Sequence, residues 1–131
     1  MADQVAAKPE LIVPAPGEYV FDLSKGDAIA AGPGYTSAAG RVVKGDRMMV
    51  GLMRLAAGQA TETHSHPNEQ WTFVVEGIFL AEIGDEKFAV GPGSVVYQPA
   101  NILHGGKAGP DSDLVFFTVK DNSHGLYGTR A

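Results

Sequence analysis

Cysteine is absent from this 131-residue chain, which excludes disulfides, thiolate metal sites and cysteine nucleophiles. Basic residues are few: ten Lys and Arg against fifteen Asp and Glu leave a formal charge of −5. With no Lys/Arg run, nucleic acid and anionic membrane surfaces are poor partners. No apolar run approaches the roughly 18 residues of a membrane span. The stretch from Met1 to Pro16 lacks the basic head and apolar centre of a signal peptide. The expectation is a cytoplasmic protein that binds neither nucleic acid nor membrane. Without cysteine any metal has to be held by His, carboxylate or amide groups, and histidine is itself scarce, at four residues. Ser65 and Ser94 lack a plausible His-Asp arrangement, which sets serine-nucleophile chemistry aside.

What is abundant is punctuation. Seventeen Gly and eight Pro suit many short strands and turns, and no window repeats apolar residues at helical spacing over ten or more positions. Strands are predicted at Arg41–Val43, Met48–Leu55, Glu62–His66, Trp71–Val75, Phe79–Ile83, Lys87–Val90, Ser94–Gln98 and Leu114–Lys120. Gly- and Pro-containing turns separate them, the longest covering Gly105–Asp113. This spacing predicts an all-β antiparallel sandwich or barrel. The chain is read as one domain: an N-terminal arm over 1–40, a barrel over 41–120 and a tail over 121–131. The arm carries an edge strand around Leu11–Val13 and a loop over Ala28–Gly40, and the tail has too little pattern to assign.

On the Trp71–Val75 strand, Trp71, Phe73 and Val75 point one way and Gln70, Thr72 and Val74 the other. If Gln70 faces a barrel interior, the Trp71 side needs cover from a second sheet or a second copy of the chain. A homodimer is therefore expected.

Chemistry concentrates in one pair of segments. His64 and His66, two apart on a strand, project both imidazoles from one face. A turn at Pro67-Asn68 can bring Gln70 over the same point, with Glu69 as an alternative under a shifted register. His104 would approach from a neighbouring strand.

In its spacing the chain resembles a cupin. Gly58, His64-Ser65-His66, Gln70 and Gly77 follow the first cupin motif, and Gly93, Pro99-Ala100-Asn101, His104 and Ala108 follow the second. Three positions depart from the pattern. Gln70 stands for Glu, Asn101 for a Gly in a turn that wants positive φ, and Ala108 for Asn. The resemblance implies a single-domain jelly-roll barrel (a double-stranded antiparallel β-helix). It also implies one divalent ion per chain, Zn, Mn, Fe or Ni, on His64, His66, Gln70 and His104. A His, His, Gln, His set is similar to that of pectin-degradation cupins that linearise unsaturated uronates, polyketide cyclases and cupin lyases. Gln in place of Glu leaves the ion more positive and a stronger Lewis acid.

The expected function is accordingly a metal-dependent enzyme, of lyase or isomerase type, that eliminates, isomerises or cyclises a small oxygenated substrate. Two alternatives stand beside it: a non-haem iron dioxygenase, and a sugar- or metabolite-binding cupin without catalysis. Tyr97 is a candidate catalytic hydroxyl or else a packed barrel tyrosine. Arg54 is a candidate partner for a substrate carboxylate or else an exposed strand arginine. His124 either is solvated or belongs to a segment folding over the barrel mouth.

Overall fold

The computed structural model describes residues 10–131. Residues 1–9 of the expected arm lie outside the described residues. Eleven strands run β1 (Ile29–Ala30), β2 (Ala39–Lys44), β3 (Met48–Leu55), β4 (Ala60–Ser65), β5 (Gln70–Glu76), β6 (Phe79–Ile83), β7 (Glu86–Val90), β8 (Val95–Gln98), β9 (His104–Ala108), β10 (Leu114–Asp121) and β11 (Thr129–Arg130). There is no helix among the described residues, and so none long and apolar enough to cross a membrane. The strands form two antiparallel sheets, ordered β1-β2-β3-β10-β5-β8 and β11-β4-β9-β6-β7: the spacing of turns and strands implied a sandwich or barrel, and the cupin resemblance implied this jelly roll.

Near the N-terminus Ile12 makes one parallel bridge to Val43, a single point of contact where an edge strand was expected. Residues 28–40, expected as loop, contain β1 and the start of β2. The expected Gly105–Asp113 turn is corrected more substantially, because His104–Ala108 is a central strand of the five-stranded sheet. Its glycines are there for close approach. A Cβ on Gly106, at φ +142°, would lie 2.2 Å from the Leu80 carbonyl oxygen, so only glycine lets the two backbones meet.

The core lies between the sheets. Along β10 the inward positions read Leu114, Phe116, Thr118 and Lys120, and their partners on β3 are Leu55, Met53, Gly51 and Met49. Leu55, Val74, Ala108 and Leu114 form one buried cluster with Ala38, and Val42, Met49, Met53 and Leu126 form another. Ala108 is fully buried there. The apolar residue that replaces the motif's Asn thus fills core space and spares an amide that would need partners.

Candidate metal centre

The polar end of the barrel is built by strand register. His64, near the end of β4, sits directly opposite His104, the first residue of β9. His66 follows β4 immediately, and the loop after it is held by Asn68, which is fully buried. The Asn68 amide donates to the carbonyls of Asp121 at 2.8 Å and His124 at 2.9 Å. Asn101, the sole non-glycine residue with positive φ among the described residues (67°), occupies its motif turn as the Gly-to-Asn exchange requires. Its N–H donates to the His66 carbonyl at 2.8 Å, which ties the two motif loops together.

Each imidazole is fixed through Nδ1 to a backbone carbonyl: His64 to Glu62 at 2.8 Å, His66 to Asn68 at 2.9 Å and His104 to Ile102 at 3.0 Å. With Nδ1 donating, Nε2 carries the lone pair. Ring nitrogens of the three lie within 4.8 Å of one another, and all three residues are buried. Tyr35 stacks on His64 with ring centroids 4.3 Å apart, and its hydroxyl accepts the Gly128 N–H at 2.9 Å.

Gln70 is oriented by its neighbours. Thr118 donates its hydroxyl proton to the Trp71 carbonyl (3.1 Å) and so accepts from Gln70 Nε2 at 2.7 Å. That leaves Gln70 Oε1 facing His66 Nε2 at 2.9 Å. Two acceptors at that separation repel unless a cation joins them. Two ligand bonds of about 2.1 Å at a right angle place their ligand atoms about 3 Å apart, which matches. His104 Nε2, buried and without a hydrogen-bond partner, is a further lone pair available to a cation. The set of three imidazoles and an amide oxygen therefore fits one divalent ion.

Burial holds the imidazoles neutral, which is the form a metal needs. It pushes His66 down to about 4 and His104 down to about 3, with the Lys120 charge adding to both. His64 is lowered for the same first reason. Lys120 itself is 6% exposed, and burial lowers it to about 8. It lies directly across from Gln70 in the β10–β5 register and lines the same cavity as His64, Gln70 and His104. Composition and motif did not single it out. The available signal was its inward parity with Phe116 and Thr118 on β10.

The other candidates fall elsewhere. Glu69 is exposed, and its carboxylate near Tyr97 pushes that hydroxyl up, while Gln70 turns inward. Tyr97 is 42% exposed and packs on Trp71 at 4.5 Å between ring centroids. It has outward parity on β8, so it is a surface residue away from the imidazoles. Arg54, expected as a substrate partner, is likewise on the outer face of β3, exposed and paired with Asp113 at 3.1 Å. Neither lines the histidine cavity. His124 is exposed, with Nδ1 3.1 Å from the Ser123 hydroxyl. The segment that carries it does fold across the barrel end. Leu126 is buried against the cavity, and β11 pairs with β4, Arg130 lying opposite His64.

Residues 51–120 match the family model described as "Cupin domain". The chain belongs to the cupin family. An uncharacterized protein of Streptomyces coelicolor is 40% identical over 57 residues, 44% of this chain and 54% of that protein. The chain thus spans about half the length of that curated relative. Among solved structures, the polyketide cyclase RemF from Streptomyces resistomycificus is similar at TM-score 0.69 and 22% identity, over 79% of each chain. The DMSP lyase DddQ from Ruegeria pomeroyi is similar at TM-score 0.55 and 22% identity, over 60% of this chain and 40% of that one. Identities this low establish the shared fold.

Proposed function

We propose that this protein is a metal-dependent enzyme of lyase, isomerase or cyclase type acting on a small oxygenated molecule, with His64, His66, Gln70 and His104 as the ligands of one divalent ion. The observation that carries this reading is the opposed pair of acceptors, His66 Nε2 and Gln70 Oε1, each locked by a hydrogen bond on its far side. Bound there, the ion would supply a Lewis acid that polarises a substrate oxygen. Three neutral imidazoles and an amide leave its charge undiminished. The chain's own part is to hold the ligands without rotational freedom and to keep bulk water out, through Leu126 and the β11 strap. Zn, Fe and Ni suit imidazole, and Mn is accepted when available. The names of two structurally similar enzymes, a cyclase and a lyase, agree with this class.

The test is elemental analysis of the purified protein, then a substrate screen with that metal restored, in air and under nitrogen. Turnover that persists under nitrogen is the expected result. Turnover that needs oxygen moves the assignment to the non-haem iron dioxygenase class, and tight ligand binding with no turnover moves it to a binding cupin.

The assembly we propose is a homodimer. Trp71, Phe73, Val75, Val95 and Tyr97 form an apolar row on β5 and the edge strand β8, each 42–51% exposed. An apolar patch of that kind is a candidate surface for association.

A further inference from the structure

The cavity between the sheets is about 80 Å³, room for a few waters or a small organic molecule. Its polar lining is largely self-satisfied. Thr72 and Gln98 bond each other at 3.2–3.3 Å, Thr36 and Thr61 at 2.7 Å, and Thr118 serves Gln70 and Trp71. Open valences remain at the imidazole cluster, at the hydroxyl proton of Tyr35 and at the ammonium of Lys120. That ammonium has three protons and one partner, the Leu126 carbonyl at 2.6 Å. Among the described residues Lys120 forms no ion pair, and no Asp or Glu lines the cavity.

A buried charge without a counter-charge is costly. Here the two charges of a divalent ion on neutral ligands would be added to the one on Lys120. Nothing in the cavity wall offsets them, so a ligand must. Away from this end the inward wall changes character, with Phe116 and Leu114 on β10 lying beside Met53 and Leu55 on the neighbouring strand β3. That wall offers nothing to a row of hydroxyl groups.

We propose that Lys120 is the anion anchor of this cavity, and that the site takes a small carboxylate with an apolar body in preference to a polyhydroxylated sugar acid. The inference rests on the metal-centre reading above and adds the class of ligand to it. The carboxylate lies at the Lys120 end and offsets the excess positive charge, and the apolar part lies toward Phe116. Lys120 is then a specificity residue, and its bond to Leu126 keeps it aimed into the cavity beneath the C-terminal strap.

The experiment uses zinc-loaded protein with its stoichiometry measured first, then calorimetric titration at pH 7 with butyrate, the neutral isostere butyramide, and galacturonate. Butyrate is expected to bind at least tenfold tighter than either of the others. Lys120→Met keeps the length and apolar stem of the side chain and removes the charge. It is expected to retain one zinc and to weaken butyrate by about ten- to a hundredfold, the value of a charge-assisted bond. Equal binding of butyrate and butyramide, tighter binding of galacturonate, or unchanged butyrate affinity in folded Lys120→Met overturns the proposal. If the variant fails to fold, the three-ligand comparison on metal-free wild type decides, and equal binding of butyrate and butyramide there overturns the proposal. A protein that takes up no zinc sinks the metal reading separately, and the same comparison on metal-free protein then decides the role of Lys120.

Discussion

Strand β5 turns Gln70, Thr72 and Val74 toward the barrel interior and Trp71, Phe73 and Val75 away from it. The inner row is engaged at every step. Gln70 reaches His66 and Thr118, Thr72 reaches Gln98, and Val74 is fully buried. The outer row has aromatic neighbours, Tyr97 beside Trp71 and Phe117 across from Phe73, yet its members stay 42–46% exposed. One backbone thus carries a hydrogen-bonded set whose geometry matters atom by atom, and a patch whose area alone matters. Substitutions on the two faces should therefore separate chemistry from association.

The largest expected effect is on the inner face. His64→Ala/His66→Ala should lower metal content from about one ion per chain to a small fraction of that, by elemental analysis, with the mass in solution unchanged. Stoichiometric metal in the double variant would falsify the ligand assignment. Next comes the outer face. Phe73→Asp places a charge at the centre of the patch and should convert the proposed dimer to monomer at micromolar concentration, by light scattering, while metal content holds. A wild-type protein that is already monomeric at that concentration ends the dimer proposal.

A smaller effect extends the inner row into its loop. Asn68→Ala removes the bonds to Asp121 and His124 and leaves two part-buried carbonyls without that donor. The expected cost is about 1–3 kcal/mol, a fall in Tm of roughly 3–10 °C, with the C-terminal strap exchanging its amide protons faster.

The pH dependence of the metal-free protein follows from the same burial. His66 and His104 sit at about 4 and about 3 when folded, against an ordinary 6.5. Between those values the unfolded chain binds more protons, so stability falls as pH drops from about 6.5 toward 4. Asp113 is held low chiefly by the Ala57 N–H, and Asp121 chiefly by the Ser123 hydroxyl. Both act only below the ordinary carboxylate value of 3.8, outside that window. At the alkaline end Lys120, at about 8 folded against 10.5, has the same sign, and stability rises with pH between the two. Urea midpoints measured across pH 4–10 check both arms. A flat profile between 4 and 6.5 would show that the imidazoles are not desolvated.

Much of this was legible in the sequence because period and punctuation agree. The alternation around Gln70 separated the two faces of β5, and the motif spacing brought together residues 40 positions apart in His64 and His104. Strand β9 was illegible because glycine reads as turn, whereas here Gly105 and Gly106 serve close packing against neighbouring backbone. Tyr97 and Arg54 carried suitable chemistry but outward parity. Lys120 was missed for the converse reason. A lysine at the end of a strand reads as solvated, and β10 is apolar on both faces, so its parity carried little information until the register with β5 was known.

The smallest change with the sharpest consequence is Gln70→Glu. The shape is kept, and an oxygen ligand remains. The introduced carboxylate has no proton to donate to Thr118, so the Thr118 hydroxyl must turn from the Trp71 carbonyl to the new acceptor. That exchange of partners costs about 0.5–1.5 kcal/mol, and an added ion pair with Lys120, directly across on β10, offsets part of it. The net change in stability is therefore expected within about 1 kcal/mol, and metal affinity should hold or rise, since a carboxylate is the stronger ligand. Two functions should drop together. Turnover should fall because the ion is less positive, and binding of small carboxylates should weaken several-fold because the new side chain supplies the counter-charge that the cavity otherwise takes from its ligand. Metal titration, butyrate titration and turnover on one preparation check all three. Undiminished, oxygen-dependent turnover in Gln70→Glu favours the dioxygenase class, and unchanged butyrate affinity shows that Lys120 does not set the charge preference of the site.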